Sequence, residues 1–190
     1  MAATKGKGQS ATIPIVDLPP RWIVRNHHGE RILTFRADAL NQMRNDLITL
    51  TGEKVARQIL YRIGMSMAKS ANRRINNDEG SWKVLDELFQ ERGWGHILSH
   101  EETIIQGPKT NSYKIVVEDS AFADVSNTQH PPVCDLLRGL LGNWMALEKN
   151  RALLATLESS CKAMGPRHCI FIVELGTINT ISNFATAFGT

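Results

Sequence analysis

The hydrophobic period shifts from helical to strand-like midway along the chain, and that shift sets the fold class. Leu40, Met43, Leu47 and Leu50 recur at spacings of three and four, which stacks them on one face of a helix over 37–50. After Gly52, the residues Val55, Ile59, Ile63 and Met67 repeat the pattern over 53–71, while Gly64, Ala68 and Ala71 leave room for a close neighbour. Following a polar loop, Ser81 caps a third helix over 82–92, with Trp82, Leu85, Leu88 and Phe89 inward and Gly93 marking its end. From there the period falls to two. His96–Gln106 and Ser112–Asp119 predict strands about a Gly107-Pro108 turn, with Tyr113, Ile115 and Val117 alternating against Lys114, Val116 and Glu118. A loop over 120–132 leads to a helix over Val133–Lys149, whose apolar face is Leu136, Leu137, Leu140, Leu141, Trp144 and Met145. Strands at about 151–158 and Cys169–Leu175 flank a turn at Gly165-Pro166. Helices first and an antiparallel sheet later, without regular β–α alternation, predict an α+β fold in which the sheet packs with helices.

Composition bounds what surrounds this body. Residues 1–12 (MAATKGKGQSAT) are small, polar and basic, and predict a disordered leader. Residues 13–190 are expected to form a single domain that opens with a hairpin around His28-Gly29. The net charge is +3, of which Lys5 and Lys7 supply two, leaving +1 for residues 17–190. A body so nearly neutral argues against nucleic acid as partner. The basic run Arg57, Arg62, Lys69, Arg73 and Arg74 is the solvated face of an amphipathic helix on this view. Apolar stretches such as Ile170–Val173 fall far short of the ~20 residues of a membrane span, and the start lacks a signal peptide's apolar core. The expected location is therefore the cytoplasm, away from membranes.

Motif searches narrow the chemistry. The sequence has no Gly-rich phosphate loop ending in Lys-Ser/Thr, Gly93-Trp94-Gly95 lacks a dinucleotide fingerprint's third glycine, and His100-Glu101-Glu102 has no second histidine at helical spacing. No Gly-x-Ser-x-Gly elbow is present. No catalytic residue is assigned.

The three cysteines are an odd number, too sparse for a disulfide framework. Glu158 precedes Cys161 by three positions and Cys169 follows it by eight, so strand end, turn and next strand start each present one donor to a common point. Cys134 follows two prolines at a helix start, where the helix dipole favours thiolate, and can supply a fourth donor. Three thiolates and a carboxylate suit a closed structural zinc site. His130 and His168 are alternatives to Glu158, and three unrelated buried thiols are the competing interpretation.

Gly139-x-x-Gly142 on a helix, then Leu157-Glu158-x-x-Cys161, Gly165 and Cys169-Ile170-Phe171-Ile172 on a closing strand, resembles the 4-vinyl reductase-type domain. That domain is also the sensing module of aromatic-responsive regulators that detect phenol or xylene. The stretch Gly52-Glu53-x-x-Ala56-x-x-Ile59-Leu60-Tyr61-x-x-Gly64 resembles its earlier helix, and the match spans about 35–175. The resemblance implies a fold similar to that of TRAPP vesicle-tethering subunits, usually dimeric, enclosing an apolar pocket. It also implies a zinc held by three cysteines and one glutamate, which Cys134, Glu158, Cys161 and Cys169 match in order.

The function expected from this is a stand-alone protein that binds or senses a hydrophobic or aromatic small molecule. Phe89, Trp94, Tyr113, Trp144 and Phe171 would line its cavity, and His96, His100 and Tyr113 would orient a phenol-like hydroxyl; the same side chains also suit plain core. Because the sequence reaches Thr190 without an ATPase module or a helix-turn-helix segment, a partner protein is expected to read the ligand state. The alternatives are a vinyl reductase-like protein handling a tetrapyrrole in pigment synthesis, as relatives in bacteriochlorophyll gene clusters are named, and a dimeric scaffold like the tethering subunits.

Overall fold

The structure, a computed structural model, describes residues 36–72, 81–103, 110–123 and 132–177. The leader, the hairpin at His28-Gly29, the Gly107-Pro108 turn and His130 lie outside the described residues. Four helices, α1 (Ala37–Thr51), α2 (Glu53–Asn72), α3 (Ser81–Glu91) and α4 (Asp135–Glu148), accompany four strands, β1 (His96–Thr103), β2 (Thr110–Glu118), β3 (Ala152–Ser160) and β4 (His168–Gly176). The strands form one sheet in the order β1-β2-β4-β3, every neighbour antiparallel. The fold is α+β.

Sheet register follows from the alternation. Ile115 lies opposite Phe171, Val117 opposite Cys169 and Tyr113 opposite Val173, so the apolar residues of β2 and β4 share one face and are buried there. Against that face packs α4, whose six predicted apolar residues are all buried. With a sheet on one side and α2 on the other, α4 is enclosed almost all round, which explains why its polar Asn143 is buried too. Asn143 is satisfied by donating from Nδ2 to the Met65 carbonyl, 2.9 Å away.

The inward faces of the first two helices differ from expectation. In α2 the buried residues are Ala56, Leu60, Gly64, Ala68 and Ala71, not Val55, Ile59, Ile63 and Met67. The small residues win because they let two backbones touch: a Cβ on Gly64 would overlap the Leu136 carbonyl oxygen of α4, and one on Gly139 would overlap that of Tyr61. Closer helices exclude water from more surface around the crossing. In α1 no residue is fully buried, and of the predicted stripe Leu50 is 81% exposed and Met43 40%.

At its end α3 behaves as expected. Gly93 adopts φ +64°, its N–H donates to the Gln90 carbonyl (3.1 Å), and the Trp94 N–H donates to that of Phe89 (2.8 Å). No atom stands within 4 Å of a Cβ built there, so Gly93→Ala meets only the conformational cost of the left-handed region, about 1–2 kcal/mol. Urea denaturation is expected to read a loss of that size.

Candidate functional site

Four donors from four places in the chain converge at the end of the sheet where α4 begins. Cys134 is the residue before α4. Glu158 lies opposite Phe171 near the end of β3 and so shares the inward face. A register shift between Glu158 and Ser160 then bends β3 toward Cys161, which opens the short turn Lys162–Met164. Cys169 is the second residue of β4, inward like Phe171. All three cysteines are buried and free. One ligating atom from each of Cys134, Glu158, Cys161 and Cys169 lies within 4.8 Å of the others, and the Cys134 and Cys169 sulfurs are 3.7 Å apart.

Backbone N–H groups point at the donors. The Lys162 N–H donates to the Cys169 sulfur at 3.3 Å, the Val133 N–H donates toward Cys161, and the Cys134 N–H donates to Glu158 Oε2 at 3.1 Å. Ser120 Oγ stands 3.7 Å from the Cys134 sulfur. Hydrogen bonds from Cys134 and Cys169 draw the Cys161 thiol far below its ordinary range. Donation to Cys161 and Cys169, with burial, holds Cys134 well above its usual value. Burial, then the Cys161 thiolate, pushes Glu158 up to about 8.

These residues fit a metal ion. Glu158 Oε1 is buried with no hydrogen-bond partner among the described residues, an arrangement that a cation would satisfy. Three soft sulfurs and one oxygen form a complete donor set. His168 begins β4 opposite Glu118 and is outside the cluster.

The residues expected to line a chamber lie partly in the core and partly at its edge. Phe89, Tyr113, Trp144 and Phe171 are buried together in the apolar core, and Trp94 meets Phe89 edge-on at 5.9 Å. His96 turns to Asp86, with Nδ1 2.9 Å from Oδ1. His100 stacks on Trp82 at 4.0 Å, its pKa lowered by partial burial against the opposing charge of Glu148. The Tyr113 hydroxyl donates to Glu102 at 3.2 Å, and burial raises its pKa. The polar groups chosen to face a ligand thus have partners of their own. Trp144 is different: its Nε1 is buried with no acceptor among the described residues.

A buried carboxylate beside the cluster was not anticipated. Asp135 is 1% exposed, takes both oxygens of its carboxylate to Arg57 Nε (3.2 and 3.1 Å), and accepts from Arg138 Nη1 at 2.7 Å. Arg138 Nε also donates to the Thr156 carbonyl on β3. An acidic residue directly after a candidate ligand was the available signal.

A family model described as activator of aromatic catabolism matches residues 18–101. No curated protein matches the chain. The phenol-responsive sensory domain of the transcription activator PoxR, solved with phenol, is similar at TM-score 0.59 and 20% identity, with 85% of this chain and 86% of that chain covered. The chain shares the fold of that sensory domain. An H-NOX protein from S. oneidensis in the Fe(II) ligation state reaches TM-score 0.47 at 14% identity, covering 78% of this chain and 77% of that one. Among the described residues, no helix is long and apolar enough to cross a membrane.

Proposed function

We propose that this chain senses a hydrophobic or aromatic small molecule of phenol-like chemistry, bound inside the α4–sheet layer, and that a zinc ion braces the layer beside it. The observation that carries the proposal is the orphaned indole N–H of Trp144, an unspent donor within apolar core that includes Phe89 and Phe171. Buried donors normally have partners, and a ligand hydroxyl is an acceptor of the right kind. The match to activators of aromatic catabolism and the fold shared with a phenol-responsive domain support the same ligand class. The resemblance to 4-vinyl reductase-type domains, with their three cysteines and one glutamate, points the same way.

Zinc suits the donor set. A tetrahedron with Zn–S arms of about 2.3 Å has edges of about 3.8 Å, against the 3.7 Å between Cys134 and Cys169. Cys134, Glu158, Cys161 and Cys169 would fill all four positions, so the ion would act as a cross-link of α4, β3 and β4, with no site left for water. Met43, Leu50, Val55 and Ile63 are large apolar residues exposed on α1 and α2, which accords with a homodimer; a partner protein would read the ligand state.

Titration of the zinc-loaded protein with phenol by calorimetry is expected to show saturable binding. Trp144→Phe keeps an aromatic side chain but removes the indole N–H and one ring, so phenol is expected to bind roughly 3- to 10-fold more weakly, with a smaller loss for toluene, which has no hydroxyl to accept from the donor. Absence of phenol and toluene binding at millimolar concentrations would overturn the proposal.

A further inference from the structure

On the far side of the Asp135 clamp, α2 and the start of α4 border an open cleft of about 730 Å³. Lys54, Arg57 and Arg62 from α2 and Arg138 from α4 line it, against the carboxylates of Glu53 and Asp135. We propose that this cleft is a binding site for a phosphate-bearing anion, separate from the aromatic site and independent of it.

Three observations carry the proposal. Cationic side chains outnumber carboxylates four to two, and one of those carboxylates, Asp135, is already buried under its two arginines. That leaves a concentrated positive charge in a body whose total is close to neutral. Second, the arginines are held in place before any ligand arrives. Asp135 fixes Arg57 through Nε, while Arg138 is fixed through Nε to Thr156 and through Nη1 to Asp135. A guanidinium has five donors, so each retains N–H groups beyond those bonds. Pre-oriented donors lose little freedom on binding. Third, Lys54 and Arg62 make no ion pair among the described residues and flank the fixed arginines along the same side of α2. An incoming carboxylate would repeat what Asp135 already supplies. Several converging donors with an excess of two positive charges instead match a tetrahedral dianion.

The Arg138 ring contact completes the picture. Its guanidinium lies over Tyr61 at 5.5 Å, giving the cleft one aromatic wall beside the cations.

The test uses the full chain, zinc-loaded, at low ionic strength, with calorimetric titration of inorganic phosphate and of adenosine monophosphate. Saturable binding of one or both is expected, weakened 10-fold or more in Lys54→Gln combined with Arg62→Gln. These exposed side chains stand outside the Asp135 clamp, so the double variant should melt like the parent. Tighter binding of the nucleotide than of phosphate identifies a nucleotide ligand; equal binding identifies phosphate alone, and either supports the site. Phosphate and nucleotide both failing to bind at 10 mM, on the order of the weakest affinities worth calling specific, would overturn it. So would binding that is undiminished in the double variant, or binding of an oligoglutamate peptide without binding of either phosphate compound. Phenol titration of the same samples keeps this outcome distinct from that of the aromatic site.

Discussion

Cys161→Ser is expected to abolish zinc binding at the proposed metal site and to cost the largest share of stability of any single substitution there. Cys161 receives hydrogen bonds from both other cysteines and from the Val133 N–H, and it is one of the four donors whose ligating atoms gather within 4.8 Å. Its removal leaves two thiols and a carboxylate whose Oε1 has no other partner among the described residues. Structural zinc contributes about 10–16 kcal/mol to the folding of small peptides. Here a core built on α4 and the sheet holds much of the fold without it, and a loss on the order of 5 kcal/mol is expected. Elemental analysis should read near-zero zinc in the variant, and thermal denaturation a large fall in Tm. Glu158→Gln preserves shape and removes the anionic donor; it is expected to retain zinc only weakly, at least 10-fold below the parent, and to melt between the two. If Cys161→Ser keeps a full equivalent of zinc and melts normally, the four donors do not hold an ion.

The site was legible in the sequence to the extent that it is local. Glu158, Cys161 and Cys169 span one hairpin, so their spacing alone brings them to one end of the sheet. Cys134 joins them from 24 residues before Glu158, a distance at which spacing says nothing; helix-start position and family resemblance supplied it. The Asp135 clamp was invisible for the same reason, since Arg57 lies 78 positions away. Strands were read well because period-two alternation against a single buried face has one solution. In α2, by contrast, two apolar faces compete: the large residues Val55, Ile59, Ile63 and Met67, and the small residues Ala56, Gly64, Ala68 and Ala71. Hydrophobicity favours the first, but burial depends on how closely the neighbour approaches. That is a property of α4, where Gly139 supplies the matching gap. The aromatic residues show the reverse difficulty. Their burial was foreseeable, but whether a buried ring is core or ligand contact depends on unpartnered polar atoms such as Trp144 Nε1, which no sequence pattern records.

The close crossing of α2 and α4 gives the second large expected effect. Gly64→Ala in an ordinary helix interior would stabilise by about 0.5–1 kcal/mol, because alanine is the better helix former. At this position the added methyl would fall on the Leu136 carbonyl oxygen and come within 2.8 Å of the Leu140 nitrogen. These are backbone atoms, which no rotamer change can move aside, so the helices must part and the tightly packed seam along Leu60, Ala68 and Leu140 must open. A net loss of about 3 kcal/mol is expected, opposite in sign to the propensity effect, and Gly64→Val should prevent folding to a soluble state. Leu136 lies two residues after Cys134 and one after Asp135, so displacing it displaces both the first of the four proposed donors and the carboxylate that clamps Arg57. Zinc content should therefore fall in Gly64→Ala, while Gly93→Ala, whose added methyl meets no atom within 4 Å, loses stability without losing metal. Urea denaturation and elemental analysis of the two variants together distinguish a strained crossing from general destabilisation. Should Gly64→Ala prove as stable as the parent and hold a full complement of zinc, the two backbones do not meet there, and the positioning of the metal centre by α2 fails with them.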